Sequence, residues 1–249
     1  MKSQSNQVRK GTIYNETYRV VDGQQIVGQK STLDKERFLT DPNFVRTREN
    51  AAEFGNAATS GKLINAGFKP AVPKAIDRLE FSRLVRRNMA IIKTDVTNVR
   101  GERTVADGDI TLLEGFNFNG RSNMSTTFQA PAVFAIDRVT GELSVDLAAF
   151  VPDVYVDKPE GATHFKLLAT GAEVDFDNET ILTDVQSTGY LALDNNATSP
   201  VTLTATVSAG STLPLILSFG IEYFEEVNGV KYILSNGRYN AHQIVKVDV

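Results

Sequence analysis

Polar and apolar positions alternate on either side of Asp22-Gly23, and that dipeptide supplies the two positive-φ residues of a two-residue turn. The pattern predicts a β-hairpin over residues 12–29. Pairing Val21 with Gln24 puts Tyr14, Tyr18, Val20 and Val27 on one face, and Thr17, Arg19, Gln24 and Ile26 on the other. The first face is the stickier. Further on, Ser31 and Asp34 suggest a short capped turn, and Asp41-Pro42 is a good helix start, with an N-cap carboxylate followed by proline. A helix is expected over about residues 42–64. Ala51, Ala52, Gly55, Ala58 and Gly61 recur at spacings of three and four, which makes one helix face flat enough for another backbone to approach.

Gly67, Pro70 and Pro73 interrupt this helical pattern. A second helix is expected over about residues 74–93, with Ile76, Leu79, Leu84, Val85, Met89 and Ile92 at helical spacing and Arg78, Arg83, Arg86 and Arg87 on its other faces. The two should form a helical hairpin. Beyond about residue 103 the pattern turns to short alternating runs separated by turn signals. Strands are expected over residues 110–118, 132–137, 143–147, 164–169, 201–207, 215–227, 230–234 and 243–247. Thr140-Gly141 marks one turn. Asn228-Gly229 marks another, and it sets Glu226 opposite Lys231 as an opposite-charge pair. The expected fold class is α+β: a β-hairpin and a helical hairpin, then an antiparallel, immunoglobulin-like β-sandwich.

Charge sharpens this division. Residues 1–103 carry 19 Lys/Arg against 11 Asp/Glu, a formal +8, whereas residues 104–249 carry 7 against 19, a formal −12. The step coincides with the change from helical to β pattern. A boundary is therefore drawn between a basic region, residues 1–103, and an acidic all-β domain, residues 104–249.

The absence of cysteine excludes disulfides, thiolate nucleophiles and Cys-ligated metals, and His164 and His242 are the only histidines. His164 alternates with Phe165 and Leu167, so it should face away from them. Asp175, Asp177 and Glu179 have the oxygen alternation that a hard cation favours but lack the glycine and distal glutamate of an EF-hand loop. They read as a solvated strand end. The chain has no GxSxG elbow, no P-loop and no GxGxxG fingerprint. No catalytic residue, cofactor site or metal site is therefore assigned. Acidic residues interleave with the arginines of the second helix, which argues against nucleic acid there. No apolar run approaches the ~20 residues of a membrane span. The polar start lacks the apolar core of a Sec signal peptide, so cytoplasmic synthesis is expected, with export by another route left open.

Three stretches carry a resemblance: LTDPNFVRTRENAAEFG (residues 39–55), ATHFKLLATGAEVDF (residues 162–176) and residues 219–247, which include FGIEYFEEVNGVKY and NAHQIVKV. Together they resemble a bacterial protein family of about 250 residues, a domain of unknown function. The resemblance implies one architecture over most of the chain and no particular activity, cofactor or catalytic residue.

The sequence thus leads to a non-enzymatic structural protein that assembles head to tail into a homo-oligomer, filament or tube, the basic region of one copy meeting the acidic domain of the next. The expected assembly face comprises Tyr14, Tyr18, Val20, Val27, Arg83, Arg86 and Arg87. The alternative is a binding module, holding nucleic acid through the helices or a glycan or protein through the β domain.

Overall fold

The run Leu215–Val227 (LILSFGIEYFEEV) carries no charge over its first seven residues and all seven are buried, which demands cover on both faces of a strand. In the computed structural model, which describes residues 9–30, 34–71 and 77–249, that cover is present. The chain is α+β and divides into two compact units, Met1–Arg48 and Glu49–Val249. The step in charge and secondary structure at residues 103/104 therefore falls inside the second unit.

In the first unit, β1 (Gly11–Ile13), β2 (Glu16–Val21) and β3 (Gln24–Gln29) form an antiparallel sheet in the order β1-β2-β3. The expected hairpin is β2–β3, with Val21 opposite Gln24 and Asp22 and Gly23 at φ 50° and 80°. The expected first strand is broken, however. Tyr14 has φ 53° and turns the chain between Ile13 and its partner Glu16, so it lies at a turn rather than on the Tyr18 face. An intrinsically strained position for a tyrosine thus replaces two residues of strand. Asp34 caps α1 (Lys35–Thr40) by accepting from the Glu36 N–H; Ser31 lies outside the described residues. Asp41 caps a 3-10 turn, Pro42–Phe44, that leads into α2 (Val45–Phe68).

The second unit holds α3 (Glu80–Ile92), β4 (Ala132–Asp137), β5 (Glu142–Leu147), β6 (His164–Asp175), β7 (Thr180–Ser187), β8 (Leu191–Ala192), β9 (Val201–Thr206), β10 (Leu215–Val227), β11 (Val230–Ile233) and β12 (Ala241–Asp248). One sheet runs β11-β10-β6-β7, with β12 also on β10 and β8 also on β6; a second runs β4-β5-β9. All pairs are antiparallel. On β10, Leu215, Leu217, Phe219, Ile221 and Tyr223 enter a core shared with Leu143, Val145, Leu147 and Leu203 of the second sheet. The opposite parity, with Ile216 of β10 and Ala172 and Val174 of β6, enters a separate core with Ile64, Phe68, Leu84, Ile91 and Ile92 of the helices. A register shift between Leu217 and Ser218 skips Val245, so Ile244 and Val247 both face the helical core. The layers are therefore helices, large sheet, small sheet.

The helical hairpin is real and antiparallel: Asn88 Nδ2 donates to Ala57 O (3.0 Å), while Asn65 Nδ2 reaches Glu80 Oε2 (3.2 Å). Two details differ from the sequence reading. The second helix begins at Glu80, where the Asp77 carboxylate accepts from the Leu79 N–H; residues 74–76 lie outside the described residues. The closely approached face of α2 is Ala57, Gly61, Ile64 and Gly67, whereas Ala51, Ala52 and Gly55 are exposed. Gly67 decides the register, since a Cβ there would lie 2.3 Å from Ile181 Cδ1 of β7. Residues 110–118 are not a strand. Asp109 caps a 3-10 turn over Ile110–Leu113, and Ile110 and Leu113, one turn apart, enter the helical core. Strand β7 was not expected at all.

Candidate functional site

The arginines of α3 reach their positions because the helix buries Leu84, Val85, Asn88, Ile91 and Ile92 and so turns residues 83, 86 and 87 outward. Arg83 is engaged through both terminal nitrogens, while its buried Nε has no partner among the described residues. Its Nη1 donates to Asn117 O (2.7 Å), its Nη2 to Phe118 O (3.1 Å) and to Asp77 Oδ2 (2.5 Å), and its guanidinium lies 5.2 Å from the Phe116 ring centroid. Asp77 also accepts from Gly120 N (3.0 Å). Burial works to raise the Asp77 pKa, but donors from Leu79, Arg83 and Gly120 outweigh it and hold the carboxyl below its ordinary value. Burial raises Glu80, on the neighbouring turn. Arg83 is thus the clamp that fixes the 116–120 segment to the helix.

Arg83 also stands between two concavities. One, of about 630 Å³, is lined by Asp77, Arg78, Leu79, Arg83, Gly120 and Arg121. The other, of about 350 Å³, is lined by Arg83, Arg86, Arg87, Ala90 and Phe116. Among the described residues, neither Arg86 nor Arg87 has an ion-pair or hydrogen-bond partner. A wall with cations unmatched by carboxylates attracts anionic groups, from a small anion to another protein's acidic surface.

The remaining residues of the expected face belong to the first unit. Tyr18 and Val27 are cross-strand partners, and Val20, two residues from Tyr18, shares their face. The Tyr18 hydroxyl donates to Glu16, a contact that raises its pKa. Tyr14, at its turn, is 93% exposed. No described residue of the first unit is buried. Ile13, Val21, Ile26, Val27, Leu39 and Val45 are each at least 38% exposed.

Sequence reasoning missed a Ser–His pair. Ser218 Oγ lies 2.7 Å from His242 Nε2, the spacing of an activated nucleophile, on adjacent strands brought into register by the β10–β12 shift. Their sequence separation of 24 residues gave no signal. Ser218 is 0% and His242 2% exposed, and His242 Nδ1 has no partner among the described residues, so the pair lies in the helical core without an orienting carboxylate. Burial pushes the imidazole pKa down to about 3. The group is neutral.

His164 faces away from the core, its Nδ1 3.0 Å from Thr163 Oγ1 and its Nε2 3.5 Å from Glu226. Glu226 also pairs with Lys231 at 3.0 Å, across the Asn228-Gly229 turn. Asp175 is a turn cap that accepts from the Asp177 and Asn178 N–H groups and from Asn178 Nδ2. Among the described residues, no group of three His, Asp or Glu side chains is arranged to hold a metal ion. Nor is any described helix long and apolar enough to cross a membrane. No family model, curated protein or solved structure matches the chain.

Proposed function

We propose that this is a non-enzymatic structural protein whose copies assemble head to tail into a homo-oligomer, filament or tube. The observation that carries the reading is the first unit, in which no described residue is buried although several of its apolar side chains are half-exposed. Ordering backbone costs roughly 1–2 kcal/mol per residue, and a three-stranded ribbon without a covered apolar face has little to offset it. A partner surface supplies that cover. Charge favours another copy as the partner. Residues 1–103 hold 19 Lys/Arg against 11 Asp/Glu, a formal +8, and residues 104–249 hold 7 against 19, a formal −12. Complementary surfaces on one chain make a heterologous contact, which propagates unless it closes into a ring.

In this reading the acidic part, residues 104–249, is an immunoglobulin-like sandwich, supported by the core its two sheets share. Synthesis is cytoplasmic, with or without later export. Arg86 and Arg87 also support a second reading, a module that binds an anionic partner such as nucleic acid in the arginine-lined concavities.

Light scattering across a salt series tests the proposal. Contacts between oppositely charged surfaces weaken as the Debye length shrinks from about 8 Å at physiological ionic strength to about 3 Å at 1 M. Assembly at low salt that dissociates at high salt is the expected result. A monomer at every salt and at high protein concentration overturns it.

A further inference from the structure

Edge strands of natural sheets are normally blunted by charge, proline, bulges or cover, because an open row of N–H and C=O groups recruits another strand. In the second unit some strand edges are covered, at least in part. The outer side of β12 bonds to the 115–118 segment, with Gly115 N donating to Ile244 O (2.9 Å), Ile244 N to Phe116 O (3.0 Å) and Phe118 N to His242 O (2.9 Å). Thr206 N of β9 donates to Asp184 of β7 (2.9 Å), and Lys246 Nζ of β12 reaches Phe134 O of β4 (3.4 Å).

β11 differs. It pairs with β10 in unbroken register, and among the described residues no backbone group bonds to its other side. Val230, Tyr232 and Ile233 are 50%, 57% and 52% exposed. Its one charge, Lys231, is drawn onto Glu226, leaving the edge without a guarding cation. β3 in the first unit has the matching character. Gln24–Gln29 contains no charged residue or proline, every residue is exposed, and among the described strands β3 pairs only with β2.

We propose that β3 of one copy adds antiparallel to the β11 edge of a second copy, a step that rests on the self-assembly reading above and names its contact. The charge complement points the same way: Arg19 stands exposed on β2 opposite Ile26 and Lys30 follows β3, whereas Glu225 stands exposed on β10 opposite Tyr232 of β11. Backbone bonds along the added strand supply affinity, and Ile26 and Val27 meet Tyr232 and Ile233 across the new ladder.

The cysteine-free chain gives a clean test by cross-linking. Adjacent strands bring opposed Cα atoms to about 4.5–5.5 Å, within the range a disulfide spans. Full-length Ile26→Cys or Val27→Cys protein is mixed with Tyr232→Cys or Ile233→Cys protein under oxidising conditions at low salt. All four sites are at least 38% exposed, so the fold should tolerate each change. The expected result is a disulfide-linked heterodimer from at least one pairing, lost at high salt. Assembly that forms normally in light scattering but yields no heterodimer from any pairing overturns this contact while leaving self-assembly standing. A Val27→Cys/Tyr232→Cys double variant that cross-links as a monomer at high dilution overturns it too, by placing the contact within one chain. Absence of any assembly overturns both readings.

Discussion

Lowering the pH should weaken the fold through His242, by an amount that follows from its surroundings. The imidazole lies directly over Gly220 of β10, where a Cβ would be 2.1 Å from Nδ1, and packs edge-on against Phe118 at 5.5 Å between centroids. Among the described residues its one hydrogen-bond partner is Ser218, with no carboxylate to stabilise a positive charge, and burial lowers the pKa from 6.5 to about 3. Because the folded-state pKa is the lower, the unfolded chain takes up the proton first as pH falls. The stability contributed by the neutral ring is therefore present above about pH 6.5 and is lost progressively down to about pH 3. With these two values, moving from pH 8 to pH 5 removes about 2 kcal/mol. Urea unfolding at both pH values, compared between wild type and His242→Gln, isolates this contribution. Glutamine keeps a neutral polar group near Ser218 and has no proton to gain, while other titrating groups, including Glu80 and Glu222 with their raised pKa values, cancel in the comparison. Wild type should lose about 2 kcal/mol more than the variant. Parallel pH dependence in the two proteins would refute the reasoning.

Three further outcomes are expected. Gly67→Val should destabilise the fold by about 1–3 kcal/mol, because its side chain meets Ile181; Ile181→Ala in the same chain should return part of that loss in a double-mutant cycle. Arg103→Met should cost about 3–5 kcal/mol in chemical unfolding, since it leaves the Glu53 carboxylate, 3% exposed and 2.7 Å from Arg103 Nη2, buried without its cation. Arg86→Glu with Arg87→Glu should shift stability by about 0.5 kcal/mol or less, as expected for surface sites, yet reduce the light scattered by the assembly at low salt.

How much of this was legible in the sequence depended on whether the signal was local. Asp22-Gly23 and Asn228-Gly229 announce two-residue turns by themselves, and both hairpins form with the expected pairing, including Glu226 opposite Lys231. Asp41-Pro42 likewise starts its helix. The failures lie where distant packing decides. Residues 110–118 alternate like a strand, but Asp109 caps Thr111 and the helical core takes Ile110 and Leu113 together. The small residues Ala51, Ala52 and Gly55 look like a contact face, yet α2 meets α3 at Gly61 and β7 at Gly67. Tyr14 could not be placed because nothing in its own chemistry favours the positive φ that its turn imposes. For the candidate face, the arginine spacing on α3 was readable, but the engagement of Arg83 with Asn117 and Phe118 depends on a loop more than 30 residues away. Ser218 and His242 meet only because a register shift aligns two strands.

The central claim is that the exposed apolar side chains of the first unit are covered by another copy. Sedimentation velocity at low salt, comparing the full chain with one lacking residues 1–29, tests it most directly. The account predicts a full chain that sediments as species of several copies, and a truncated chain that remains folded, with a cooperative thermal transition, and sediments as a monomer. A full chain that sediments as a monomer, or a truncated chain that assembles as fully as the intact one, would contradict it.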